Sequence, residues 1–253
     1  MEKQLSAQRL SPPEHLSSEK KLDRRKFLSY VGISASVITA AAACTKTQTS
    51  TQQDLAKAAN QSLMEKSVFG DRKVIDLGSG DIGILNYAYA LEQLEAAFYT
   101  RVVSSFYSGI GSWEKAFLQD VQYHEVAHRE FFKTALGNNA IPELTFNFSS
   151  IDFSGRLSVL KTAKAFEDTG VSAYNGAGKL ISNPDYLLLA GKIVSVEARH
   201  AAYFRDLLDY NSFADNTVVD SNGLDTSRSP QEVLTIVDPY IKEKLNGDHL
   251  PTN

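Results

Sequence analysis

Two of the five histidines in this 253-residue chain stand three residues after a glutamate. They form Glu125-Val126-Ala127-His128 and Glu197-Ala198-Arg199-His200. On a helix, residues three apart share a face, so each pair can grip one cation. Two other glutamates each precede a tyrosine by seven residues, Glu92 with Tyr99 and Glu167 with Tyr174. Seven residues is about two helical turns, again one face. Carboxylate oxygen combined with imidazole nitrogen suits iron or manganese, and zinc less exclusively. Four glutamates turned into one apolar interior would repel and lose hydration at large cost. Two divalent ions would cancel their charge. A glutamate stands three residues before any given histidine only about 5–6% of the time, so two such elements among three helical histidines arise by accident about once in a hundred.

The chemistry requires four helices, and the periodicity supplies them. From Asp81, a candidate cap, Leu85, Ala88, Leu91, Glu92, Glu95, Phe98, Tyr99, Val102 and Phe106 recur at three- and four-residue steps. Ser108 to Ser112 is a glycine-containing break. A second helix is predicted from about Trp113 to Leu136, closed by Gly137-Asn138-Asn139, a third from about Arg156 to Leu180, and a fourth from about Pro184 to Tyr210. Between the second and third lie residues 138–155, with Pro142, Gly155 and short apolar pieces. Such a segment spans up to about 60 Å when extended. A 25-residue helix is only about 37 Å long, so the segment can cross a whole bundle. Two hairpins with one long crossover give an all-α fold of the ferritin-like type, with Glu, Glu-x-x-His, Glu, Glu-x-x-His in order, one element per helix. Ser229-Pro230 then starts a short amphipathic helix expected to reach about Lys244 and to pack on the outside.

The halves repeat. Glu92 to Glu167 is 75 residues, while Glu125 to Glu197 and His128 to His200 are each 72. These offsets suggest two similar hairpins related by pseudo-symmetry. Glu95, one turn after Glu92, is an alternative ligand or a supporting acid; Tyr99 favours Glu92. His124 adjoins Glu125 but points about 100° away on a helix, which suits a surface or supporting role. Tyr99 and Tyr174 are candidates to hydrogen-bond ligands or carry redox intermediates, with plain core packing as the alternative. Asp168 and Glu130 read as solvated or supporting groups. Gly78-Ser79-Gly80-Asp81-Ile82-Gly83 resembles the glycine-rich loop of methyltransferases. That loop needs a strand before it, a helix after it and alternating strands downstream. The downstream body reads as helices without a parallel sheet, so a bend leading into the first helix is the better account.

Residues 1–44 read as an address. Asp23-Arg24-Arg25-Lys26-Phe27-Leu28 precedes an apolar run from Tyr30 to Ala43. Arg24 and Arg25 followed by Phe-Leu resemble the twin-arginine signal, which implies the twin-arginine export machinery as partner and export of a folded chain. Ala41-Ala42-Ala43-Cys44 resembles a lipoprotein cleavage site, making Cys44 the lipid-bearing residue and the membrane a partner through that anchor. Ordinary cleavage after small residues, leaving an unanchored periplasmic protein, is the alternative. Residues 45–70 follow as a flexible tether, since Thr45 to Gln53 is almost all Thr, Gln, Ser and Lys. The domains are therefore 1–44 export signal, 45–70 tether, 71–210 four-helix bundle, and 211–253 C-terminal extension. Charge follows this division: residues 1–43 hold seven Lys and Arg against four Asp and Glu, and the remainder 19 against 26. An acidic body argues against nucleic acid as partner. With one cysteine, no intramolecular disulfide is available.

Over residues 74–210 the chain resembles the ferritin-like superfamily, especially exported bacterial envelope members related to desiccation-associated proteins. That resemblance implies two metal ions, iron or else manganese. Glu125 and Glu197 would bridge them, Glu92 and Glu167 would be terminal, and His128 and His200 would bind one ion each. Three functions are compatible: a di-iron oxidase or peroxidase acting on Fe(II), O₂ or peroxide in envelope stress protection, a metal-binding module without turnover, or a structural envelope protein. A homodimer is an allowed assembly. A 24-subunit storage cage conflicts with a lipid tether and a long extension.

Overall fold

A computed structural model describes residues 72–252. Its first long element, α1 (Gly80–Ser104), is buried nearly all round, with Ala88 through Ala96 enclosed without interruption. A helix apolar on one stripe lies at a surface, whereas one enclosed on every side lies at the centre. The polar residues on α1 are answered accordingly. Asn86 donates to the Leu77 and Asn139 carbonyls and accepts from Ile141 N–H. Gln93 accepts from Leu144 N–H. Both side chains thus fasten the beginning of the long connection to the back of α1.

Helix α2 (Ser112–Leu136) follows α1 and pairs with it as one hairpin. α3 (Arg156–Gly178) and α4 (Pro184–Leu208) form the second. The hairpins meet through α1 against α3, and through Phe117 of α2 packed on Tyr203 and Phe204 of α4. Gly137, at φ +53°, turns the chain out of α2. Asn183 caps α4 by accepting from Asp185 N–H, with Pro184 in the first turn. Asp81 does not cap α1. Ser79 holds that position without a side-chain cap bond, and Asp81 instead accepts from Ser182 and Asn183 N–H, tying α1 to the α3–α4 turn.

The connection between hairpins carries no α-helix, as expected. Its Phe148 and Phe153 pack on Phe98 of α1, which also meets Phe166 of α3. The C-terminal helix α5 (Pro230–Val237) has the anticipated Ser229 cap, reinforced by Glu232 as a capping box. It is shorter than predicted. Pro239 lies in a 3-10 turn directly after it, and the chain then enters β2 (Lys244–Asn246). It is also less peripheral than expected, since Val233 and Val237 are buried in the common core.

β2 pairs in parallel with β1 (Val74–Asp76), aligning Ile75 with Leu245. The body therefore contains a small parallel sheet that the helical reading excluded. Arg72 reinforces it by donating to the carbonyls of Ile241, Lys242 and Glu243 and to Asp238. The glycine loop does run from a strand into a helix, and a Cβ at Gly83 would lie 2.7 Å from the Gly78 carbonyl oxygen. Alternating strands are absent among the described residues, so the loop serves as a tight turn beneath α1. Arg24, Arg25, Cys44 and the tether lie outside the described residues. No helix among the described residues is long and apolar enough to cross a membrane.

Candidate metal centre

α1 and α3 contribute Glu92 and Glu167 to a shared buried cluster, and α2 and α4 each contribute a glutamate and a histidine one turn apart. Glu92, Glu125 and Glu167 are fully enclosed, Glu197 and His200 almost so, and His128 is the most open, its side chain 14% exposed. Their atoms form two groups. Glu92, Glu125, His128 and Glu197 make one, and Glu125, Glu167, Glu197 and His200 the other, the atoms within each lying within 4.8 Å of one another. Glu125 and Glu197 belong to both.

The hydrogen bonds around these groups are as informative as the distances. Tyr99 on α1 donates to Glu167 Oε1 on α3 at 2.5 Å, and Tyr174 on α3 donates to Glu92 Oε1 on α1. Each tyrosine thus serves the glutamate of the opposite helix, an exchange that the seven-residue spacing within one helix does not reveal. One oxygen of Glu92 and one of Glu167 remain unpaired, while both oxygens of Glu125 and both of Glu197 are unpaired. Nδ1 of His128 and Nδ1 of His200 are unpaired too. Of the ten buried unpaired side-chain polar atoms among the described residues, eight belong to these six residues. Buried polar atoms normally find partners, and a lost partner costs about 1–3 kcal/mol each. His128 Nδ1 lies 2.7 Å from Glu197 Oε1, and His200 Nδ1 lies 3.0 Å from Glu125 Oε1, yet neither contact has the alignment of a hydrogen bond. The atoms surround shared points instead of facing each other in donor–acceptor pairs. Such an arrangement of carboxylate oxygens and imidazole nitrogens could hold metal ions.

The electrostatics agree. Burial raises the Glu125 carboxyl well above its ordinary value, with the charges of Glu197 and Glu167 adding to it, and burial and Glu197 raise Glu92. Burial also raises Glu167, and His200 opposes it, leaving a value of about 7. For Glu197, burial is outweighed by close His128 and His200, which hold it at about 2. Burial would lower His200, but the Glu167 charge and the neighbouring Glu125 and Glu197 carboxylates push it up to about 12; His128 is raised similarly by Glu125, Glu197 and Glu92.

Glu95 stands apart. It is 4% exposed and, among the described residues, belongs to neither ligand group. Burial and the charge of Glu167 raise its carboxyl well above the ordinary range. It occupies space opened by Gly170 on α3, where a Cβ would sit 3.2 Å from Glu95 Oε1. Gly170 follows Glu95 by the same 75 residues that separate Glu92 from Glu167. The internal repeat could have exposed this exchange of acid for glycine. His124 is exposed at the surface, yet paired: its Nδ1 lies 2.9 Å from His200 Nε2, with the rings stacked. Asp168 is neither solvated nor behind a ligand. It forms a two-pronged ion pair with buried Arg205, at 2.7 and 2.8 Å, joining α3 to α4. Glu130 pairs with Arg129 at the surface.

No curated protein matches the chain. Residues 80–210, just over half of it and including all six converging side chains, match the family described as the ferritin-like domain.

Proposed function

Starting from a chain that belongs to the ferritin-like domain family, we propose that it holds two divalent cations, iron or else manganese, and uses them as an oxidase or peroxidase toward Fe(II), O₂ or peroxide. The observation that carries the reading is the set of eight inward, unpaired atoms on Glu92, Glu125, His128, Glu167, Glu197 and His200. Glu125 and Glu197, which belong to both groups and have both oxygens unpaired, would hold both ions. Glu92 and Glu167, each with one oxygen committed to a tyrosine, are terminal. An iron pair would supply the electrons for reducing O₂ or peroxide. The chain's own residues do the rest. Tyr174 and Tyr99 fix the terminal carboxylates by donating to Oε1, leaving Oε2 to face the centre. The surrounding apolar core excludes bulk water and strengthens every charge interaction inside. His128, the most exposed of the six, marks the side on which small molecules approach.

Arg24, Arg25 and Cys44 belong to the same reading: a twin-arginine-exported, lipid-tethered protein of the bacterial envelope acting in stress protection. The depth of the site supports a second reading, a resident metal pair that holds the bundle together without turnover. Anaerobic loading with Fe(II), followed by exposure to air in an oxygen electrode, separates the two. Oxygen uptake stoichiometric with bound iron, abolished in Glu125→Ala, is expected. Iron retained without uptake would leave the second reading standing, and wild-type protein that takes up no metal would end both.

A further inference from the structure

The internal repeat that relates the two Glu-x-x-His elements breaks one position earlier. His124 precedes Glu125, and its counterpart 72 residues on is Val196, before Glu197. The break acts across the bundle. His200 turns Nδ1 toward Glu125, Glu167 and Glu197 at 3.0, 3.3 and 3.4 Å. Its remote nitrogen, Nε2, meets His124 Nδ1 at 2.9 Å. With Nδ1 presenting its lone pair to a cation, Nε2 must carry the ring proton and donate it to His124. This interaction fixes both tautomer and ring orientation at His200. His128 also turns Nδ1 inward, at 2.7 Å from Glu197 and 3.5 Å from Glu92. Among the described residues, however, no group hydrogen-bonds its Nε2, and its side chain is the more exposed, 14% against 5% for His200.

We infer that the two metal positions are inequivalent: the one built on Glu125, Glu167, Glu197 and His200 fills first and holds its ion more tightly, because His124 positions His200. His124 touches no cation and is a positioning residue. The inference rests on the six side chains holding two ions. Outer groups that orient a metal-binding histidine are typically worth 10- to 100-fold in affinity, so a separation of roughly that size is expected between the two binding steps.

The test titrates the full-length protein, stripped of metal by chelation, with Co(II). The d–d absorption is followed, with a competing chelator to resolve affinities. Wild type should bind in two steps. His124→Phe keeps a ring but removes the acceptor, and should weaken the tighter step until the two merge. His124→Asn, which restores an acceptor, should recover the separation. Two equal steps in wild type, or two separated steps unchanged by His124→Phe, would overturn the inference while the two-ion site stands. Wild type that binds no cobalt would remove the site itself and the inference with it. Helical circular dichroism of each variant confirms that folding is not what changed.

Discussion

Glu167 and His200 carry opposite obligations in the same cavity. Without metal, His200 holds a proton to about 12 and Glu167 to about 7, so both are substantially protonated near neutrality. A cation requires the imidazole neutral and the carboxyl ionised. Metal loading must therefore release protons, and affinity must rise with pH. The stability of the metal-free fold runs the other way. Glu167 is raised from 4.5, so its contribution is complete below 4.5 and is lost as pH climbs through about 7. His200 is raised from 6.5, so its contribution is complete below 6.5 and is lost as pH climbs from there through about 12. Glu197 is depressed to about 2, so its contribution is present above 4.5 and is lost only as pH falls through about 2. The metal-free protein should thus melt at a lower temperature at about pH 8 than at about pH 5, with the loss beginning above 4.5 at Glu167 and continuing above 6.5 at His200. The metal-loaded protein should show the reverse trend. Calorimetric titration in two buffers of different ionisation enthalpy should record net proton release on loading. A melting temperature independent of pH in the metal-free form, with no protons released, would contradict this division of charge.

At the scale of elements, the contact between α3 and the extension invites a direct perturbation. A Cβ on Gly176 would fall 1.7 Å from the Arg228 carbonyl oxygen, where Arg228 N–H donates to the Ser172 carbonyl. Gly→Ala inside a helix ordinarily gains about 1 kcal/mol. Here Gly176→Ala should instead cost about 1–3 kcal/mol through forced displacement. Urea unfolding measures the sign, and hydrogen exchange at the Arg228 amide should accelerate. A stabilised variant would show that the extension is not pressed on α3 in this way. The same level separates what could be read from the sequence from what could not. The four long helices were legible to within about two residues because amphipathic spacing, Pro184 and the glycines beside the breaks are local signals. The converging acids and histidines were legible for the same reason. Asn86 and Gln93 were not, because a polar residue on a buried face interrupts the periodicity that reveals the face. The strands were not, because three residues carry too little pattern and each strand's partner lies 170 residues away in the sequence. Pro239 should have shortened the last helix, since proline is readily accommodated only in a helix's first turn.

For the molecule as a whole, the export signal we propose and the body make separate demands. Arg24→Lys combined with Arg25→Lys should leave the isolated body's fold and metal content unchanged while retaining the protein in the cytoplasm. Fractionation of cells carrying that variant is the measurement, and its normal delivery to the envelope would defeat the twin-arginine assignment. The parallel pairing of β1 with β2 adds a consequence for timing. Arg72 and Lys242, bonded beside that sheet, are 170 residues apart. A ribosome must release nearly all of the body before the two strands can meet. Their union waits on residues 244–246: a product cut short before Lys244 could assemble helices but could not close this clasp. A secretion route that accepts folded cargo would thus meet a visible difference between chains that carry β2 and chains that stop before it.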